Sequence, residues 1–169
     1  MGSSTSTLTE KQEKFRRKML NPFLFWVYTF GNVPAGWMAG MRLKELNKER
    51  AVTTIPFKWL NKNPFKSIYF AVQSMAAELS TASIALLAIT DRNPSVATII
   101  VDLKAEFPKR ATGKTTFTCE DGQRIFEAVE LAISSGQPQT VTAKTTGTLH
   151  DGTIVSVFQF TWSFKQRSK

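Results

Sequence analysis

Hydrophobic and polar residues alternate with a period of two in four stretches of the second half of the chain. From Ala97 to Phe107 the odd positions Ala97, Ile99, Val101, Leu103, Ala105 and Phe107 are apolar, while Thr98, Asp102, Lys104 and Glu106 lie between them. This is the pattern of a half-buried strand. Lys114 to Cys119 is a shorter version of it. Thr140 to Leu149 and Ile154 to Phe164 flank His150-Asp151-Gly152, and Asp-Gly between alternating runs is a hairpin signal. The last strand puts Ile154, Phe158, Phe160, Trp162 and Phe164 on one face. Two further strands are expected earlier. These are Trp37 to Leu46 and Val52 to Trp59, the latter with Ile55, Phe57 and Trp59 on one face and Thr54 and Lys58 on the other. A turn is expected at Asn61-Lys62-Asn63-Pro64.

The period changes between these strands. Ser67 to Ile89 is apolar on nearly all sides and ends at Asp91-Arg92-Asn93-Pro94, which predicts one long helix. Ile125, Val129 and Ile133 mark a second helix over about Gln123 to Ser134, with Asp121 placed to cap it and Gly136 beyond its end. Asn21 and Pro22 can open a short helix carrying Phe23, Phe25, Trp26, Tyr28 and Phe30. Those rings suit a lid or a subunit contact better than a membrane anchor. Residues 1–20 read as a polar, basic tail, 21–165 as a single domain and 166–169 as a second basic tail. The order is β-β-α-β-β-α-β-β. A helix apolar all round must be covered on most sides. The economical arrangement is an α+β fold, in which a curved antiparallel sheet of about six strands wraps one long central helix.

Composition narrows this picture only slightly. At 169 residues the chain is long enough for one domain with a real core. The run Ile68 to Ile89 is long enough to span a bilayer, but Gln73, Ser74, Glu78, Ser80, Thr81 and Ser83 interrupt it, and a mid-span carboxylate is costly in lipid. A single cysteine and a polar start give no sign of secretion, so a cytoplasmic location is expected. The net charge of +9 favours anionic partners. No nucleic-acid-binding motif accompanies it. His150 lies in a turn with no second ligand spaced to help it hold a metal, and Cys119 reads as a small core residue.

The long helix carries the candidate chemistry. At 100° per residue, Ser67, Ala71, Ser74, Glu78, Thr81, Ala82 and Ala85 fall near one side. Ile68, Val72, Leu79 and Leu86 fall elsewhere and look like core. A stripe of small side chains leaves room for a ligand or a partner backbone. Partial desolvation would raise the pKa of the single carboxylate within it, which suits a general base. The alternative is that Glu78 forms an ion pair at a subunit interface and does no chemistry.

The stretch from Asn63 to Leu79 resembles the signature of hotdog-fold thioesterases similar to the phenylacetyl-CoA thioesterases. That signature has an Asn, a His-Gly-Gly opening the helix, and an acid nine residues after the His. Here Asn63 stands at the Asn, Tyr69 at the His, Phe70 and Ala71 at the glycines, and Glu78 at the acid. The Tyr-Phe-Ala start is similar to that of a bacterial branch of the superfamily. The resemblance implies hydrolysis of an acyl-CoA or related thioester at a site between two subunits of a homodimer, with pairing into tetramers left open. It implies Glu78 as base or nucleophile, Asn63 orienting substrate or water, and Ser67, Tyr69, Phe70, Ala71, Ser74 and Thr81 around the substrate. The amides near Phe70 and Ala71 would polarise the carbonyl. No metal and no cofactor are implied beyond coenzyme A as part of the substrate. Lys109 and Arg110 read as a charged loop that could also meet its phosphates. The competing reading is a non-catalytic protein holding acyl-CoA or another apolar ligand in the same cleft.

Overall fold

The computed structural model describes residues 8–167. Three helices come first: α1 (Glu10–Leu20), α2 (Pro22–Asn32) and α3 (Pro34–Ala39). The strands β1 (Arg42–Leu46) and β2 (Ala51–Ile55) lead through a 3-10 turn at Trp59–Asn61 to the long helix α4 (Phe70–Ile89). Then follow β3 (Val96–Glu106), β4 (Thr115–Cys119), α5 (Gly122–Ser135), β5 (Gln139–Thr148) and β6 (Ile154–Gln166). The six strands form one antiparallel sheet in the order β1-β2-β4-β5-β6-β3, packed on α4. This is the expected α+β architecture.

The core lies between α4 and the sheet. Val72, Ala76, Leu79, Ile84 and Leu87 on the helix are buried with Phe117, Phe158, Phe160 and Phe164 on the strands. Three polar links fix the helix against individual strands. Thr53 on β2 donates to the Ala76 carbonyl at 2.6 Å, the Ser80 and Thr145 hydroxyls are bonded at 2.8 Å, and Trp162 Nε1 donates to Thr81 Oγ1 at 3.1 Å. In a dry core each is stronger than at the surface and costly to break on one side only. The apolar length of α4 is thus the mark of a core helix, most of it buried within the protein.

Several local expectations need correction. The polar segment 1–20 is no tail over its described part. α1 starts at a capping box made by Thr9 and Gln12, and buried Gln12 donates to the carbonyls of Leu87 (3.2 Å) and Thr90 (3.3 Å) at the end of α4. Residues 1–7 lie outside the described part, as do Ser168 and Lys169 of the second expected tail. The expected strand over Trp37–Leu46 is helical in its first part. Pro34 opens α3, and Gly40, at φ 79°, turns the chain into β1. β2 stops at Ile55 because Pro56 has no N–H for the ladder. Thr54 and Ile55 are both buried, because β2 is covered on both faces, and Trp59 lies beyond the strand and is exposed, so the predicted separation of faces does not hold. α5 forms where expected, but the Asp121 carboxylate does not cap it. It bonds Lys144 N (2.7 Å) and Arg124 (2.9 Å) instead. Finally, β3 is an edge strand and is not half-buried by this chain. Ile99, Val101 and Leu103 stay exposed along it, as does Phe107 just beyond its end.

Candidate functional site

The loop before α4 is held rigidly. Asn61, fully buried, donates through Nδ2 to the carbonyls of Ala39 (2.9 Å) and Pro56 (2.8 Å), and its own carbonyl accepts from Tyr69 N at 2.8 Å. Asn63 Oδ1 accepts from Phe65 N (3.0 Å), Ser67 N (3.2 Å) and Ser67 Oγ (3.2 Å). Ile68 N donates to Ala111 O at 2.8 Å, tying this loop to the segment after β3. Tyr69 is extended (ψ 136°), and its side chain does not cap the helix. Its carbonyl accepts from Val72 N (3.0 Å) and Gln73 N (3.1 Å). The amides of Phe70 and Ala71 have no hydrogen-bond partner among the described residues. Two donors at the positive end of a twenty-residue helix are therefore open to an external oxygen.

A cleft of about 660 Å³ opens at this point, bounded by the Asn63–Phe70 segment, Gln73 and the Phe107–Ala111 segment. Phe65, Tyr69, Phe70 and Phe107 bring aromatic rings to its walls. Phe70 meets Tyr69 edge-on (centroids 4.8 Å apart) and Phe107 (6.4 Å), and Phe107 in turn meets core Phe158 (5.4 Å). Lys109 and Arg110, both exposed, stand at the cleft. Gln73 was read from sequence only as a polar interruption of an apolar run. It is buried, donates Nε2 to Ile68 O at 3.0 Å, and leaves Oε1 without a partner. An unpaired buried amide oxygen beside a cleft is a place for a donor from a ligand or water.

Glu78 lies two turns further along α4. The first half of the helix leaves one stripe partly uncovered, comprising Ala71, Ser74, Met75 and Glu78. The Glu78 carboxylate has no hydrogen bond or ion pair among the described residues, and desolvation raises its pKa above the ordinary carboxylate value. At 1.5 Å per residue, Glu78 stands about 10 Å along the axis from Ala71. It does not line the cleft. One chain therefore does not bring this carboxylate and these amides to the same carbonyl.

The other predicted site residues fall into two groups. Ser67, Tyr69, Phe70 and Asn63 border the cleft, although Asn63 uses its oxygen to hold the loop and keeps only Nδ2 for a ligand. Ser74 bonds back to Phe70 O at 2.9 Å. Thr81 cannot contact substrate in this structure. It is fully buried, donates to Glu78 O (3.0 Å) and accepts from Trp162 (3.1 Å). The helix wheel put it on the open side, but the Trp162 indole covers it. Thr81→Val should therefore cost about 1–3 kcal/mol, because the buried Trp162 N–H loses its acceptor, and denaturant unfolding would measure this. Cys119 is buried in β4, and burial pushes its thiol up to about 12, so it is no nucleophile. His150 is an exposed turn residue.

No family model and no curated protein matches the chain. Solved structures do. A Pseudomonas aeruginosa protein described as a probable thioesterase superposes with a TM-score of 0.72 at 18% identity, over 89% of this chain and 99% of that one. The fold is the hotdog fold. A thioesterase from Haemophilus influenzae shares it (TM-score 0.59, 14% identity, 83% of this chain and 88% of that one). So does a substituted form of a second thioesterase from Pseudomonas aeruginosa (TM-score 0.63, 13% identity, 85% and 93%). At these identities the likeness establishes the hotdog fold, and function must be argued from the site.

Proposed function

We propose that this hotdog protein hydrolyses acyl thioesters, with acyl-CoA as the carrier form, at a site completed by two copies of the chain. The observation that carries this reading is the presence on one helix of two unbonded N-terminal amides and a desolvated, unpaired carboxylate. The amides suit a developing oxyanion. Glu78 suits a general base: it takes a proton from water, and the hydroxide oxygen attacks the thioester carbon. The C–S bond breaks as the oxyanion collapses, the departing sulfur takes up the proton, and a carboxylic acid and a thiol leave. The phenylacetyl-CoA-type signature around Asn63 and Glu78 supports the same assignment.

The separation of Glu78 from the amides of Phe70 and Ala71 is the reason for invoking a second copy. The exposed apolar edge of β3 gives that copy a place to pair. The aromatic cleft would take the acyl or pantetheine part, and Lys109 and Arg110 the phosphates. The test is release of free thiol from short, medium and long acyl-CoAs, followed together with sedimentation equilibrium. Release from at least one of them by a dimer supports the proposal. Binding of acyl-CoA without release would identify a ligand-holding protein instead.

A further inference from the structure

The surface around α2 is rich in exposed rings. Phe23, Trp26, Val27 and Phe30 occupy the solvent side of the helix, and Phe23 is 69% exposed. Trp26 and Phe30 stack on one another (6.1 Å) and meet Trp37 of α3 at 5.5 and 5.1 Å. The surface continues to Met38 and Trp59, the latter 85% exposed, because Lys58 and Asn61 are hydrogen-bonded to the carbonyls of Met38 and Ala39. Exposed apolar patches of this extent on a folded chain mark contact sites.

Charge selects the occupant. No Asp or Glu occurs from Lys14 to Lys44, or from Ala51 to Ala77, the segments that build this surface. Lys14 and Lys18 lie one turn apart on α1, exposed and without an ion pair. Glu13, on the same helix, is already held between Arg16 and Arg17. Lys58 reaches Met38 O at 2.7 Å, and Lys62 sits 4.9 Å from the Phe57 ring centre. A symmetric contact with a second copy would set this cationic surface against itself with no carboxylate to offset it. Moreover, α2 lies beside β1, at the opposite edge of the sheet from β3, so pairing through β3 leaves it uncovered. Exposed aromatic rings in segments that carry lysines free of ion pairs and no carboxylate match the interface of an anionic bilayer, where the rings enter the headgroup region and the lysines meet the phosphates.

We propose that the α2–α3 surface docks the protein on an anionic lipid surface. The test is co-sedimentation of the full chain with phosphatidylcholine vesicles, with and without phosphatidylglycerol, alongside tryptophan fluorescence. Wild type should bind only the anionic vesicles, with a blue-shifted emission, and high salt should weaken the binding. Lys14→Gln and Lys18→Gln should each lower the partition about fivefold. Phe23→Ser with Val27→Ser, neither of them in the ring cluster, should abolish it while the melting temperature holds. Failure of wild type to bind either vesicle would overturn the proposal, as would unchanged binding by the Phe23/Val27 variant. So would a wild-type assembly that loses one association step in that variant, because a second copy would then cover the patch.

Discussion

Glu78→Gln is expected to slow thioester hydrolysis by about 10²–10⁴-fold, the usual contribution of a positioned general base. Its effects on pH dependence and stability distinguish this role from a structural one. Burial without a partner raises the carboxyl's pKa, so the wild-type rate should climb with pH through a midpoint above the ordinary glutamate range. The residual rate of the variant should lack that step. Stability follows the opposite course. A carboxyl whose folded-state pKa is raised stabilises most below its unfolded value of about 4.3, and loses that contribution as pH rises through the folded value. As pH rises through that folded value the ionised Glu78 comes to burden the fold, and above it Glu78→Gln should melt higher than wild type. The difference should vanish in acid. Thermal unfolding across pH checks this independently of turnover. An unchanged rate would remove Glu78 from the chemistry. A lower melting temperature of the variant above that folded value would show that the carboxylate has a partner in the assembled protein.

The sequence disclosed the parts of this molecule whose pattern is local. α4 is apolar all round because the sheet and its neighbours cover it, and β5 and β6 alternate because one face meets the core. The hairpin between them rests on Asp151 and Gly152, where Asp151 Oδ1 accepts from Thr153 N at 2.9 Å and Gly152 adopts φ 82°. What stayed hidden depends on contacts far apart in sequence. α1 buries little apart from Gln12 and Met19, so it carries no strong stripe, and its attachment is a glutamine reaching the end of a helix 75 residues away. Thr81 was placed on the open side by geometry that knows nothing of Trp162. Gln73 looked like an interruption because no local rule tells a buried amide with a free oxygen from a solvated one. Asn63 was legible as chemistry only through the spacing of a short motif, while Glu78 stood out also as the single carboxylate on a stripe of small side chains. Their actual environments, an occupied loop-holding oxygen and an unpaired carboxylate, needed the fold.

The oxyanion role of the helix start can be tested on the backbone itself. Phe70→Pro should lower kcat about 10²–10³-fold relative to Phe70→Ala, the loss expected for one missing oxyanion donor. Proline is suited to this position. Phe70 is the first residue of α4, where the amide has no helical partner to lose and proline's fixed φ is already helical. Tyr69, at φ −57° and ψ 136°, has the extended geometry favoured by the residue before a proline. The substitution removes one N–H and leaves the helix in place, which circular dichroism and the melting temperature would show. It also removes the ring that meets Tyr69 and Phe107, and Phe70→Ala supplies that control by losing the ring and keeping the amide. A large difference in kcat between the two variants at similar KM would assign the loss to the amide. Equal losses in both would show that the ring, as a wall of the cleft, sets the rate, and that the carbonyl is polarised elsewhere.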